Sequence, residues 1–332
     1  MRKCIDYKQS QGIFGKKFLV TGGAGFIGSH IVERLLATAN FVRVLDNFSS
    51  GKRDNLRFTE KLNNSGVFEL VKGDIRSLDT CRKVTKGIDF VLHQAALRSV
   101  PKSMSDPRLY NEVNIGGTLN MLTASAENRV KCFVFASSSS VYGEVKEFPE
   151  REDFIPRPIS PYALTKLTGE HYCRIFSKFY GLPTVSLRYF NVFGERQSLD
   201  DEYAVVIPKF ITCILKDKPP PIYGTGKQSR DFTYVRDVVD ANILAAKLPY
   251  PKGEVFNIAS GKDYTVLELV NLLNKIMHKK IKPVFLKPRP GDVFKTHADL
   301  SMSKKYLKFK PGFNFMEGLK LTVDYFKEKE KL

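Results

Sequence analysis

At 332 residues and 42% hydrophobic content, the chain can bury one or two cores. No run approaches the roughly 18 apolar residues of a membrane span, so a membrane partner is not expected. Five cysteines, scattered and never in CxxC spacing, and five histidines without an HxxxH or HExxH pair argue against a disulfide framework and against a bound metal. The formal charge of +18, from 53 Lys plus Arg against 35 Asp plus Glu, fits a lysine-covered surface or small anionic substrates drawn in by a positive field. Nucleic acid is disfavoured because no arginine-rich run interleaved with aromatics is present. The stretch MRKCIDYKQSQGIFG carries charge without a following apolar segment, unlike a secretion signal, so the expected location is the cytoplasm.

The first predicted strand, Lys17 to Val20, runs into TGGAGFIGSH (Thr21 to His30), and Ile31, Val32, Leu35 and Leu36 follow at helical spacing. Gly23, Gly25 and Gly28 fit GxGxxG, while Gly22, Gly25 and Gly28 fit GxxGxxG. Such glycines allow a tight turn, close approach of backbone to phosphate, and close packing of helix on strand. The helix N-terminus adds unpaired N–H groups and a partial positive charge. A second run, Phe41 to Leu45, ends in Asp46, where a carboxylate accepts the hydroxyls of an adenosine ribose and repels a 2′-phosphate. NAD is therefore expected over NADP. The competing reading is a bare βαβ unit with Asp46 as a solvated strand end.

Further runs at Val67 to Val71, Phe90 to His93, Cys132 to Ala136 and Thr184 to Leu187, each followed by turn residues, alternate with helical patterns. This predicts an α/β fold, a doubly wound parallel sheet of Rossmann type over residues 1–190. Beyond Asn191 the pattern changes to shorter elements broken by Pro219 to Pro221 and by the Pro283 to Pro290 stretch. A smaller C-terminal α/β domain is expected over 191–332, with segments near 230–262 returning to the first. Lys327 to Lys331, KEKEK, reads as solvated surface.

The strand Cys132 to Ala136 leads into Ser137, Ser138, Ser139 and Ser140, then Val141, Tyr142 and Gly143. At the carboxyl end of a parallel strand such hydroxyls point into the nucleotide crevice. In SPYALTK, Ser160 caps and Pro161 opens a helix reaching to about Tyr180, so Tyr162 and Lys166 share one face. YxxxK carries little by itself, because Tyr142, Tyr162, Tyr223 and Tyr306 all have a lysine four residues later. Position decides: only Tyr162 lies at a helix start within the nucleotide half.

TGGAGFIG, Asp46, HQAA (His93 to Ala96), SSSSVYG, SPYALTK and RYFNVFG (Arg188 to Gly194) resemble the extended short-chain dehydrogenases/reductases over nearly the whole chain. Within these the chain is most similar to nucleotide-sugar 4-epimerases, in particular those of UDP-hexoses and UDP-N-acetylhexosamines. The resemblance implies that Ser138, Tyr162 and Lys166 carry the reaction and that NAD stays bound. For the cofactor it implies Gly22, Gly25, Phe26, Ile27, Gly28, Asp46, Asn47, Ser49, Gly51, Asp74, Ile75, Gln94, Ala95, Ala96, Tyr162 and Lys166, with Asn114 at a structural asparagine of the family. It also implies a homodimer. In such chemistry Tyr162 takes the proton from the sugar O4, C4 gives hydride to NAD, and Ser138 hydrogen-bonds the developing carbonyl. Bringing a phenol of pKa near 10 to neutrality needs about 3 units, roughly 4 kcal/mol, of preference for phenolate. Lys166 and the nicotinamide charge are the expected source.

Ser139 and Ser140 stand where related 4,6-dehydratases carry an Asp-Glu pair, and Ser140 where UDP-glucuronate decarboxylases carry a glutamate, which disfavours both branches. A UDP-sugar domain over 191–332 is implied, with Ser138, Ser139, Asn191, Gln197, Val206, Tyr223, Arg230, Arg289, Asp292 and Thr296 toward substrate. The two arginines suit a diphosphate and Asp292 a ribose hydroxyl. Thr296 stands where a large aromatic restricts the family to hexoses, so its small side chain implies acceptance of UDP-GlcNAc and UDP-GalNAc. Arg98 departs from the glycine found in related N-acetylhexosamine epimerases. A UDP-glucuronate or UDP-GlcNAc-uronate 4-epimerase, an ordinary NAD-dependent oxidoreductase, and a non-catalytic NAD-binding protein remain the alternatives.

Overall fold

The computed structural model describes residues 14–38, 41–62, 65–198, 206–288 and 293–330. Its centre is a sheet of β1 (Lys17–Thr21), β2 (Phe41–Asp46), β3 (Phe68–Lys72), β4 (Phe90–His93), β5 (Cys132–Ser138) and β6 (Thr184–Tyr189), completed by a strand from much later in the chain. The apolar runs are short and nearly continuous, as strands buried on both faces require. Phe18, Leu19, Val20, Val91, Leu92, Phe133 and Val134 are all fully buried, each contributing about 1.5–3 kcal/mol of transfer free energy.

Small strands follow: β7 (Val192–Phe193), β8 (Pro221–Tyr223), β9 (Ser229–Asp231), β10 (Thr233–Tyr234), β11 (Lys252–Ile258), β12 (Asp263–Thr265) and β13 (Val284–Leu286). The seven-stranded order is β11-β6-β5-β4-β1-β2-β3, with every pairing parallel. The order turns back at β1, flanked by β2 and β4. A crevice forms there at the strand carboxyl ends, the binding position of doubly wound sheets.

Helices α1 (Phe26–Leu36), α2 (Leu78–Thr85), α3 (Val100–Ser105), α4 (Pro107–Tyr110), α5 (Gly117–Glu127), α6 (Pro161–Phe179), α7 (Val206–Leu215), α8 (Val235–Ala246), α9 (Val266–Met277) and α10 (Phe315–Glu330) complete the fold. Ile31, Val32 and Leu35 of α1 pack with Val238, Val239 and Ile243 of α8 on one face of the sheet. On the other face lie Cys81 and Val84 of α2, Met121 and Leu122 of α5, and Cys173 and Phe176 of α6. A separate core joins α7, α9 and α10 through Phe210, Ile214, Leu269, Leu273, Leu319 and Val323.

The six predicted strands are present within a residue or two, and Ser160 caps α6 by accepting from the Ala163 N–H at 3.2 Å. Beyond Asn191 the elements are not uniformly short: α8, α9 and α10 span 12, 12 and 16 residues. Mixed composition hides them: α8 buries Asp237, Asp240 and Asn242 along with its apolar residues, and α9 and α10 mix polar and charged residues with their apolar ones. No helix among the described residues is long and apolar enough to cross a membrane.

Candidate active site

A cleft of about 350 Å³ opens over the carboxyl ends of β1, β2, β4 and β5. Its floor is the glycine turn. Gly22 has φ +67°, and a Cβ there would sit 2.8 Å from the Ala95 nitrogen; one on Gly28 would sit 2.1 Å from the Gly22 carbonyl oxygen. Only glycine permits the strand, the turn and α1 to converge so closely. Gly25 caps α1 with no side-chain hydrogen bond, so the first N–H groups of the helix face the cleft, as an anion requires. This cradle fits a dinucleotide diphosphate.

The Asp46 carboxylate accepts from the Ala24 N–H at 2.9 Å and from the Phe48 N–H at 2.8 Å. Burial pushes its pKa up, while those two N–H groups pull it down. It lines the cleft with Gly22, Gly25, Phe26, Ile27, Gly28, Asn47, Ser49, Gly51, Ile75, Gln94, Ala95 and Ala96. Asp74 stands behind: it accepts from Asn47 Nδ2 at 2.9 Å and pairs with Arg76, which holds it down at about 2. The Gln94 amide is tied to the Tyr189 hydroxyl and to Asn242 Oδ1.

Tyr162 and Lys166 face the same cleft from α6. Lys166 Nζ donates to the Ala136 carbonyl at 2.8 Å, and burial lowers its pKa to about 8. Burial also raises the Tyr162 phenol, opposed by a hydrogen bond with Ser138 and by the charge of Arg98. Lys166 Nζ lies 6.0 Å from the Tyr162 ring centroid and is engaged with β5, and Arg98 is a second positive charge acting on the phenol. Ser138 Oγ itself accepts from the Ser140 N–H at 3.2 Å, and Ser139 opens the 3₁₀ turn Ser139–Tyr142.

The Arg98 loop is built from beneath. Asn114, buried within a π-helical stretch (Asn111–Gly116), accepts from the Leu97 N–H at 2.8 Å and donates to the Leu97 carbonyl and to Thr165 Oγ1. The Tyr110 hydroxyl donates to the Arg98 carbonyl at 2.5 Å, and Ser99 takes φ +100°. The loop is thus stitched to α6 one residue before Lys166, with the Arg98 side chain lining the cleft.

Of the residues expected toward substrate, Gln197 lines the cleft. Its Nε2 donates to the Val192 carbonyl at 3.0 Å, while its buried Oε1 has no partner among the described residues and suits a donor hydroxyl. Asn191 (φ +31°) donates to Thr296 Oγ1 at 2.9 Å and to the Asp231 carbonyl. Thr296 is 7% exposed and also accepts from the Asp231 N–H, so it supports Asn191 besides being small. Arg230 donates to the Ser229 and Phe294 carbonyls, Tyr223 ends β8 and Val206 opens α7. These last residues stand outside the cleft lining. Arg289 and Asp292 lie outside the described residues.

A family model described as the NAD dependent epimerase/dehydratase family matches residues 18–259. The chain belongs to that family. Over 315 residues it is 38% identical to a putative UDP-glucose 4-epimerase of Methanocaldococcus jannaschii, covering 94% of this chain and 99% of that one. A UDP-N-acetylglucosamine 4-epimerase from Methanobrevibacter ruminantium, solved in complex with UDP-N-acetylmuramic acid, superposes with TM-score 0.90 at 42% identity, covering 96% of this chain and 100% of that one. A UDP-glucuronic acid 4-epimerase from Bacillus cereus, in complex with UDP-glucuronic acid and NAD, gives TM-score 0.87 at 36% identity, covering 94% and 99%. NAD is the cofactor of this family member.

Sequence reasoning missed Lys52, Tyr189, Arg196, Tyr325 and Lys329, all in the cleft lining. Lys329 belongs to the KEKEK stretch expected to be surface. No group of three or more His, Cys, Asp or Glu among the described residues is arranged to hold a metal.

Proposed function

We propose that this protein is an NAD-dependent 4-epimerase of UDP-sugars, interconverting UDP-GlcNAc and UDP-GalNAc as well as UDP-glucose and UDP-galactose. The observation that carries the reading is that Tyr162 and Lys166 line the dinucleotide cleft while Ser138, at the carboxyl end of β5, hydrogen-bonds the Tyr162 phenol. NAD, when bound, supplies the acceptor and later the donor of the C4 hydride. Tyr162 removes the O4 proton and returns it, and Ser138 hydrogen-bonds O4 as carbonyl character develops. Lys166 holds α6 against β5 and keeps positive charge near the phenol. The 4-keto sugar turns about its bond to the diphosphate and presents its other face. We assign UDP-sugar binding to the C-terminal elements, with Asn191, Gln197 and Arg230 among the described residues.

The assembly we propose is a homodimer through α6. Leu164 (53% exposed), Ile175 (43%) and Phe179 (69%) recur along one outward stripe, flanked by Met104 of α3 and Leu109 of α4. An apolar stripe of this kind is a self-association surface more often than a solvated one.

Incubation of purified protein with UDP-GlcNAc and, separately, UDP-glucose, without added cofactor, tests the function. C4 epimers without net redox change are expected; no epimer from either, even with NAD supplied, would sink it. The second reading, a uronate 4-epimerase, is favoured by Arg98 in the cleft. Turnover of UDP-glucuronate at a rate above that of UDP-GlcNAc would select it.

A further inference from the structure

Three of the six Lys and Arg residues that line the cleft come from distant parts of the chain. Lys52 follows β2, and its N–H donates to the Ala24 carbonyl of the glycine turn at 3.0 Å. Arg196 follows β7, is held at φ +64°, and reaches α1 through Ser29 Oγ at 3.4 Å and Glu33 Oε2 at 2.5 Å. Lys329 comes from the last turn of α10. All three line the cleft with the glycine turn.

The placement of α10 is fixed by packing. Phe315, Leu319, Val323 and Phe326 are buried in the C-terminal core, and this face orients the neighbouring one. Tyr325 and Lys329, four residues apart and therefore superposed on the helix, both line the cleft. The Tyr325 hydroxyl meets the main-chain N–H of Arg196, with Lys52 and Glu195 close enough for their charges to act on it. The helix end thus stands opposite the N-terminus of α1.

A dinucleotide diphosphate brings two negative charges to this place. The glycine turn answers with N–H groups and a helix dipole, worth about half a charge. The guanidinium of Arg196 is already paired with Glu33, and Asp46 adds a negative charge to the same cleft. Lys52, Arg98 and Lys166 line the same cleft, and α10 adds Lys329 to them from the opposite side of the chain's fold.

We propose that Tyr325 and Lys329 belong to the cofactor site, Lys329 pairing with the diphosphate of NAD and Tyr325 walling its outer side. The inference rests on NAD as the resident cofactor. It makes the C-terminal helix, whose buried face sits in the other core, a direct holder of the dinucleotide.

The test is exchange of bound NAD for fluorescent etheno-NAD in the full-length protein, comparing the parent with Lys329→Glu, Tyr325→Ala and a control, Lys320→Glu, an exposed position on α10 away from the cleft. Retained UDP binding by calorimetry verifies folding, and Lys329→Gln is the milder substitute where reversal impairs it. Lys329→Glu should release NAD about tenfold faster, with Tyr325→Ala in the same direction and Lys320→Glu within about twofold of the parent. Release unchanged in both cleft variants, or equal acceleration by Lys320→Glu, overturns the proposal while the cofactor reading stands. A folded parent that takes up no NAD at all overturns both.

Discussion

The ammonium of Lys166 donates to the main-chain carbonyl of Ala136 at 2.8 Å, fastening α6 to β5 two residues before Ser138. Together with the hydrogen bond from Ser137 Oγ to Glu170 of α6, this bond fixes the relative position of the phenol and the serine hydroxyl. Tyr162→Phe should lower epimerisation by roughly 10²–10⁴-fold with NAD content unchanged, read from product chromatography and from NAD released by acid. Lys166→Met should match that loss and also lower the melting temperature. Full activity in either variant would refute the assignment.

Arg98 acts on the Tyr162 phenol by charge. Replacing it by glutamine removes a pull that lowers the phenol's pKa, so the acid limb of the kcat profile should move to higher pH. Arg98→Lys should restore the limb. If the uronate reading holds, Arg98→Gln also raises KM for UDP-glucuronate and leaves KM for UDP-glucose within about twofold. An unmoved acid limb would remove Arg98 from the chemistry.

Thr296 gives both space and a hydrogen bond, and two variants separate them. Thr296→Val keeps the size but loses acceptance from Asn191 and the Asp231 N–H, and should reduce kcat/KM for acetamido and neutral sugars alike, by about 1–2 kcal/mol. Thr296→Tyr fills the space as well, and should act further against acetamido sugars. If Thr296→Tyr reduces both classes equally and no more than Thr296→Val does, steric control at this position is excluded.

Glu150 is 1% exposed, and burial raises its pKa from 4.5 to about 8, opposed by the His297 N–H. The native state therefore holds a proton that the unfolded chain has released. This stabilisation is complete below about pH 4.5 and is lost as pH rises toward about 8. Glu150→Gln should raise stability at pH 8 by on the order of 2 kcal/mol and flatten the decline between those pH values. Denaturant titrations at pH 5 and pH 8 give the answer, and an equal change at both would contradict it.

Leu164→Arg combined with Phe179→Glu should convert a dimer to a monomer in sedimentation experiments, leaving the helix content intact. A double variant sedimenting like the parent would locate self-association elsewhere.

Strands and the α6 start are legible in the chain because they are local: an apolar run, a glycine turn, a serine before a proline. The cleft's far wall is not local. Lys329 sits in a stretch of alternating charge, and only the burial of Phe326 and Val323 beside it decides which way it faces. Asn114 can be placed by family pattern, yet its purpose depends on meeting Leu97 and Thr165 across the fold. The same is true of Thr296, whose hydroxyl matters through Asn191, 105 residues away.

The parallel pairing of β11 on β6 has a consequence for any attempt to divide the gene. A product ending near Phe190 would leave β6 as a bare outer edge and strip α8 from one side of the sheet, exposing Val134, Val185 and Leu187 to solvent. Such a piece is an invitation to strand-to-strand aggregation. The two halves are interwoven in sequence order, so they must be synthesised together before either can stand.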